Sequence, residues 1–256
     1  MVITILNYLV FNENKSSWIT LIHCLGGSTR TWNKQIAFLS KYFNVLVIDL
    51  PYHGNSIVFN EKLTNENVNL SIKQVLDALN ITKTHFLGFS LGTIVATNFV
   101  AQFPEYSNKV VLAGCSTMVV GMYKPMVKII NTIKNLVPCR FAYKVIASIM
   151  LPKPIHKKSR EIFIREVANM NNRHFREWLA YISQITNFNN TVNKLNQSNT
   201  QILILVGSKD YCFLNGAKKM HEKLKNSQIS ILNKCGHICI VEQPDTINEL
   251  SLAFLT

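Results

Sequence analysis

Residues 85–93 read HFLGFSLGT and place Ser90 between Gly88 and Gly92, two residues away on either side. An apolar run precedes the serine, and a helix-like run, TIVATNFVAQF (93–103), follows it. Flanking glycines are needed where a strand turns sharply into a helix, because side chains there would collide with both elements. Such a turn lifts the hydroxyl above the sheet at a helix N-terminus, where backbone N–H groups favour an oxyanion. The alternative interpretation is an ordinary βα loop of small residues.

The rest of the chain indicates a parallel sheet, because strand-like apolar runs alternate with helical patterns. Several of these runs are continuous, as in strands that are buried on both faces. The 256 residues, 48% of them hydrophobic, suit one α/β domain with an insertion. The runs are VITILNYLVF (2–11), SWITLIHCL (17–25), FNVLVIDL (43–50), KTHFLGF (83–89), KVVLAG (109–114), QILILVG (201–207) and QISIL (228–232).

The alternation of strands and helices is interrupted once. It stops after LAGCS (112–116) and resumes at TQILILVG (200–207), and the stretch between them is helical in pattern and broken by prolines. We therefore predict a doubly wound, mostly parallel sheet made of residues 1–118 and 196–256. A helical insertion at 119–195 separates its two parts.

A nucleophilic serine needs a base, which is itself oriented by an acid, and on such a sheet the expected chain order is Ser, Asp or Glu, His. Asp210 is the one aspartate between Ser90 and the C-terminal histidines, and it lies just past a strand-like run. His221 falls on a polar helical face and is interpreted as surface. His237, in a loop beside a glycine, completes the predicted triad Ser90, Asp210 and His237.

The second oxyanion donor is expected in the loop after an early strand. The stretch LIHCLGGSTRTW (21–32) is that loop, and Gly26 and Gly27 let its backbone approach a substrate. We assign the oxyanion hole to the backbone N–H groups of Leu25 and Leu91. His23 is expected to brace the loop rather than to act in catalysis.

Composition excludes several classes of protein. No apolar run reaches the ~20 residues of a membrane span, and the N-terminus has the pattern of a first strand rather than a signal peptide, so a cytoplasmic protein is expected. Six scattered cysteines favour reduced thiols over a disulfide framework. The stretch CGHIC (235–239) lacks the second ligand pair of a zinc site, so no metal is expected.

The net charge of +13 is concentrated in one segment. Residues 121–200 hold thirteen of the 27 Lys and Arg residues and only three of the 14 acidic residues. The charge has two interpretations: a solvated helix face, or a surface for an anionic partner such as an acidic protein or an anionic lipid surface. Nucleic acid is not expected, because no binding motif accompanies the charge.

Together these motifs resemble the α/β-hydrolase superfamily of esterases, lipases and acyl hydrolases, over essentially the whole chain. Cys24 stands where the family has a glycine after the histidine, and Tyr52 stands where the second motif has its first glycine. The motifs that carry the resemblance are HCLGGSTRTW (23–32), DLPYHGNS (49–56), GFSLG (88–92), GSKD (207–210) and GHICIVEQP (236–244).

The resemblance implies that the insertion at 119–195 is a helical cap over the active site. It also implies a serine esterase that needs no cofactor and acts on a small-molecule or acyl-carrier-bound ester or thioester. Relatives that open epoxides or displace halide carry aspartate in place of Ser90, which argues against both reactions. Carbon–carbon bond hydrolases of ring-cleavage pathways often carry tryptophan where Ile238 stands, so that chemistry is weakened. Cofactor-free perhydrolase or lyase chemistry and a non-hydrolytic sensor are the remaining alternatives.

Overall fold

The centre of the molecule is a seven-stranded sheet, as seen in a computed structural model that describes residues 6–116, 138–153, 156–166, 170–184 and 188–256. The strand order is β1-β3-β2-β4-β5-β6-β7. β1 pairs antiparallel with β3, and all other neighbours are parallel. The strands are β1 (Tyr8–Phe11), β2 (Trp18–Ile22), β3 (Asn44–Ile48), β4 (Thr84–Phe89), β5 (Ser107–Ala113), β6 (Gln201–Gly207) and β7 (Ser227–Leu232).

Every residue of β3 and β4 is buried, which explains why these strands have continuous rather than alternating apolar runs. The predicted fold class, a mostly parallel doubly wound sheet flanked by helices, is confirmed. Two 3₁₀ turns (Thr29–Trp32 and Pro104–Tyr106) accompany the α-helices. The helices are α1 (Asn33–Leu39), α2 (Asn65–Ala78), α3 (Leu91–Gln102), α4 (Cys139–Met150), α5 (Lys157–Glu166), α6 (Asn172–Gln184), α7 (Phe188–Gln197), α8 (Leu214–Lys223), α9 (Cys239–Glu242) and α10 (Pro244–Leu255).

Helices α4 to α7, here called the inserted helices, lie in the chain between β5 and β6. The predicted start of the insertion at residue 119 lies outside the described residues, and the division into core and cap stays a prediction. Among the described helices, none is long and apolar enough to cross a membrane.

Helix α3 approaches the sheet so closely that only glycine fits at two positions. A Cβ atom on Gly92 would lie 1.9 Å from the carbonyl oxygen of Ile22 at the end of β2. A Cβ atom on Gly88, the penultimate residue of β4, would lie 2.4 Å from the carbonyl oxygen of Gly92. Both distances are far below van der Waals contact, so the two glycines determine how the helix sits on the sheet.

The 23–27 loop that follows β2 is held on one side by a buried imidazole. His23 Nδ1 donates to the carbonyl oxygen of Cys24 at 2.7 Å, and His23 Nε2 accepts from the backbone N–H of Leu50 at 3.0 Å. The ring must be neutral to accept at Nε2. Burial lowers the pKa of His23, which keeps it in that state.

A second buried imidazole holds the far end of the same loop. His53 Nε2 accepts from the backbone N–H of Gly26 at 2.9 Å, while His53 Nδ1 donates to the carbonyl oxygen of Pro51 at 2.9 Å. Burial, followed by the nearby ring of His23, holds the pKa of His53 well below its ordinary value. The conformation of the loop therefore depends on two uncharged histidines.

Replacing Gly92 tests the packing of α3 on the sheet. Helix propensity alone favours Gly→Ala, by up to ~1 kcal/mol in a helix interior. Because the added methyl group meets a backbone oxygen, we expect Gly92→Ala instead to lower the free energy of unfolding by ~3 kcal/mol, at the upper end of overpacking costs. Urea denaturation measures the change. Ala101→Gly, near the end of the same helix, is the control and should cost at most ~1 kcal/mol. A Gly92→Ala protein as stable as wild type would contradict the close contact.

The buried histidines predict a pH dependence of stability. Their pKa values are lowered on folding, so their contribution is complete above the ordinary pKa of about 6.5 and is lost as the pH falls below it. We expect the Tm to fall between pH 7 and pH 5, and to fall less steeply in His53→Gln, which keeps an acceptor for the Gly26 amide. Each histidine contributes at most ~1.4 kcal/mol per pH unit. His221→Gln is the control; equal slopes in wild type and His53→Gln would refute this account.

Candidate active site

Ser90 lies in the sharp turn between β4 and α3. Its backbone has φ 52° and ψ −114°, in the left-handed half of φ that non-glycine residues rarely adopt. The Ser90 N–H donates to the carbonyl oxygen of Ala113, the last residue of the neighbouring strand β5, at 3.1 Å. Such a conformation costs of order 1–3 kcal/mol and persists only where the surrounding structure imposes it. Here it presents the hydroxyl group at the carboxyl edge of the sheet.

The structure brings Ser90, Asp210 and His237 into one chain of hydrogen bonds. His237 Nε2 lies 2.9 Å from Ser90 Oγ, and His237 Nδ1 lies 2.8 Å from Asp210 Oδ2. Asp210 follows β6 and His237 follows β7, so parallel strands deliver all three residues to the same edge of the sheet. The Asp210 and His237 side chains have no exposed surface, and Ser90 is 8% exposed.

The arrangement assigns each polar atom of the imidazole a role. An ionised carboxylate can only accept, so Nδ1 carries the proton toward Asp210 and Nε2 is left to accept from the Ser90 hydroxyl. The rings of Phe89 and Phe213 flank the imidazole, with centroids 5.8 Å and 4.9 Å away. The group is therefore a buried hydroxyl–imidazole–carboxylate relay that can generate a serine nucleophile.

The backbone of the 23–27 loop is oriented by hydrogen bonds at two successive peptides. The carbonyl oxygen of Cys24 accepts from His23 Nδ1 and from the N–H of Gly27, at 2.7 Å and 3.0 Å. Because a trans peptide is planar, fixing that oxygen also fixes the direction of the Leu25 N–H on the opposite side. Leu91 is the first residue of α3, where an N–H group has no acceptor within the helix.

The next peptide of this loop is held partly by the inserted helices. The hydroxyl group of Tyr143, in α4, donates to the carbonyl oxygen of Leu25 at 2.8 Å. In α6, Trp178 Nε1 donates to the carbonyl oxygen of Pro51 at 2.9 Å. Both aromatic side chains are buried. Sequence reasoning did not identify Tyr143, Trp178 or His53, because aromatic and histidine residues carry no local signal of a distant hydrogen-bond partner.

A cavity of about 220 Å³ is lined by chain neighbours of two triad residues, whereas Ser90, Asp210 and His237 themselves do not line it. Its apolar lining includes Phe89, Ile162, Ile238 and Ile240, and Phe89 and Ile238 directly adjoin Ser90 and His237 in the chain. Arg30, Lys34 and Arg165 also line it.

Two cysteines flank His237, at positions 235 and 239, and both thiols have raised pKa values. Burial and then the Glu242 carboxylate raise the pKa of Cys235, and burial raises the pKa of Cys239 well above its ordinary value, so both thiols stay protonated. Within the described part of the chain, no group of three or more His, Cys, Asp or Glu side chains is arranged to hold a metal ion.

Comparison with known proteins agrees with this fold. A family model described as "alpha/beta hydrolase fold" matches residues 18–131. The chain is 28% identical to 2-hydroxy-6-oxononadienedioate/2-hydroxy-6-oxononatrienedioate hydrolase 1 of Pseudomonas putida, over 98% of this chain and 92% of that protein.

Solved structures show the same architecture. An enol-lactonase from Burkholderia xenovorans matches with a TM-score of 0.80 at 18% identity, over 98% of this chain and 96% of that one. A structure from a study of the carboxylesterases of Nitrososphaera gargenis matches with a TM-score of 0.83 at 20% identity, over 97% and 93% of the two chains. The matched family model and the shared architecture show that the chain has the α/β-hydrolase fold.

Proposed function

We propose that this hydrolase cleaves a carboxylic ester or thioester through an acyl-enzyme on Ser90. The observation that carries the proposal is the continuous hydrogen-bond chain from Ser90 Oγ through His237 to Asp210, at 2.9 Å and 2.8 Å, in a buried site. Serine is a weak nucleophile on its own, and this chain supplies the base and the group that orients it.

In the proposed reaction, His237 Nε2 accepts the Ser90 proton as Oγ attacks the carbonyl carbon. The N–H groups of Leu25 and Leu91 bind the oxyanion that develops on the carbonyl oxygen. The imidazolium then protonates the leaving alcohol or thiol, and the acyl group remains on Ser90. A water molecule, deprotonated by His237, releases the acid. Asp210 holds the tautomer and stabilises the imidazolium, which is the usual role of such a buried carboxylate.

We propose that a small apolar group of the substrate occupies the cavity lined by Phe89 and Ile238, which adjoin Ser90 and His237 in the chain. Its volume of about 220 Å³ is below the 300–1,000 Å³ typical of drug-sized ligand sites. Chain length and leaving group are therefore the first substrate properties to vary.

The cations at this cavity support a negatively charged substituent or carrier. Arg30, Lys34 and Arg165 are exposed, and none of them forms an ion pair with a described carboxylate. An anionic group, on a small ester or on an acidic acyl-carrier protein, would meet three unpaired positive charges there. An anionic lipid surface is the third possible source of that charge.

Carbon–carbon bond hydrolysis is the second candidate function, because the Pseudomonas putida relative, which covers nearly the whole chain, is named for a dienedioate. A triad of the same geometry is compatible with either reaction. Ile238, next to His237, contributes an apolar side chain without a hydrogen-bond donor. The ester reaction, which needs no further polar group at that position, is therefore the first candidate.

Hydrolysis of p-nitrophenyl esters across acyl chain lengths tests the first candidate. We expect short acyl chains to be preferred and Ser90→Ala to lower kcat by at least ~10⁴-fold, as does loss of a triad serine elsewhere. Asp210→Asn should cost ~10⁴-fold, because it stabilises the wrong imidazole tautomer. His221→Ala is the control, because His221 contacts Ser227 at the start of β7, away from the carboxyl ends of the strands. Residual activity in Ser90→Ala equal to wild type would refute the mechanism.

The same assay separates the remaining candidates. Turnover of a ring-cleavage dienoate without turnover of esters would favour carbon–carbon hydrolysis. Saturable ligand binding without product release would favour a sensor.

Charge reversal at the cavity tests the preference for an anionic substrate. We expect Arg165→Glu to lower kcat/KM for a carboxylate-terminated ester by ~5-fold relative to a neutral ester of equal length, since an exposed charge pair contributes up to ~1 kcal/mol. The effect should shrink above 0.5 M salt, because the Debye length then falls below ~5 Å. Lys219→Glu, an exposed change of equal net charge in α8, is the control. An equal effect in both variants would exclude a local role for Arg165.

A further inference from the structure

The loop that carries His237 packs against the end of β6. A Cβ atom on Gly207, the last residue of that strand, would lie 2.2 Å from the carbonyl oxygen of Gly236 and 2.3 Å from that of Cys235. The carbonyl oxygen of Cys235 also accepts from the N–H of Lys209 at 2.8 Å. The loop is therefore in direct backbone contact with the end of the sheet's strand β6.

The same loop also contacts a carboxylate and an imidazole. Glu242 Oε2 accepts from the N–H of Gly236 at 2.6 Å, one residue before His237. His156, which lies between α4 and α5, faces the same glycine: a Cβ atom on Gly236 would lie 2.9 Å from His156 Cε1 and 3.0 Å from its Nδ1. His156 Nδ1 is also 3.8 Å from Glu242 Oε1.

This contact is polar and almost fully buried. The side chains of His156 and Glu242 are 2% and 16% exposed. Within the described residues, His156 Nε2 and Glu242 Oε1 have no hydrogen-bond partner. Burying such groups costs stability, and an apolar pair of the same volume would hold two segments together at least as well. A purely structural contact therefore does not account for the choice of an imidazole and a carboxylate here.

We propose that His156 is a positioning residue for the catalytic base. From the inserted segment, its imidazole faces Glu242 and packs against Gly236, so that His156 and β6 together fix the position of the loop and hence of His237 relative to Ser90. The inference rests on the proposed function, in which His237 is the base. It follows that the base reaches its working geometry only when the inserted segment is seated on the core.

Two variants of nearly equal shape, His156→Asn and His156→Leu, test the proposal. Asparagine keeps a donor near the position of Nδ1, whereas leucine keeps only the volume. A displacement of ~1 Å can cost 10²-fold in rate, so we expect His156→Leu to lower kcat for a p-nitrophenyl ester by ~10–100-fold with KM changed less than twofold. His156→Asn should retain at least a third of the wild-type kcat. Thermal melting of each variant is measured alongside.

Labelling of Ser90 by a fluorophosphonate separates this inference from the proposed function. In that reaction the Oγ–P bond forms, fluoride leaves and His237 takes the serine proton, whatever the natural substrate is. No labelling of wild type would refute the proposed function. Wild-type labelling and an unchanged rate in His156→Leu would refute the positioning role, even if its Tm fell.

Further outcomes are equally decisive. Equal losses of kcat in His156→Leu and His156→Asn would reduce the role to side-chain volume and overturn the proposal. If His156→Leu does not fold, the comparison of His156→Asn with His156→Ala replaces it. Alanine removes the donor without adding bulk, so its labelling rate should fall while that of His156→Asn is retained. His221→Leu, a histidine change away from the carboxyl ends of the strands, should label at the wild-type rate.

Discussion

The close approach of α3 to the sheet is the constraint on which the rest of the site depends. With Gly92 against the carbonyl oxygen of Ile22, the helix begins one residue after Ser90, and the serine must adopt its positive φ of 52°. The cost of that conformation is offset by the packing of the helix and the burial of its first ten residues. The position of the hydroxyl group is thus determined by backbone packing rather than by its own side-chain contacts.

The 23–27 loop depends on a different kind of interaction. Three of its peptide groups are paired with buried side chains: the Cys24 carbonyl with His23, the Gly26 N–H with His53 and the Leu25 carbonyl with Tyr143. An unpaired buried peptide group costs about as much as a lost hydrogen bond, so these partners restrict the loop to one conformation. Because the histidines act as acceptors, their neutrality is part of the geometry.

Local sequence signals were sufficient for the sheet and for choosing three residues that the structure brings into one hydrogen-bond chain. Ser90 is marked by its two glycines, Asp210 by its place after a continuous apolar run, and His237 by the loop that distinguishes it from His221. The side chains that hold the loops carried no such signal. Tyr143 bonds a residue 118 positions away and Trp178 one 127 positions away, and helical periodicity indicates which face is buried but not what it meets.

The inserted segment contacts the loops of the candidate site at two separate places: through Tyr143 of α4 at Leu25, and through His156, between α4 and α5, at Gly236. One contact orients a peptide next to the proposed oxyanion donor, and the other adjoins the residue before the proposed base. Neither Tyr143 nor His156 lines the 220 Å³ cavity. The inserted helices contribute Ile162 and Arg165 of α5 to that lining. The residues proposed to select the substrate are thus separate from those proposed to seat the segment, so the cavity lining can vary while the loop geometry is kept.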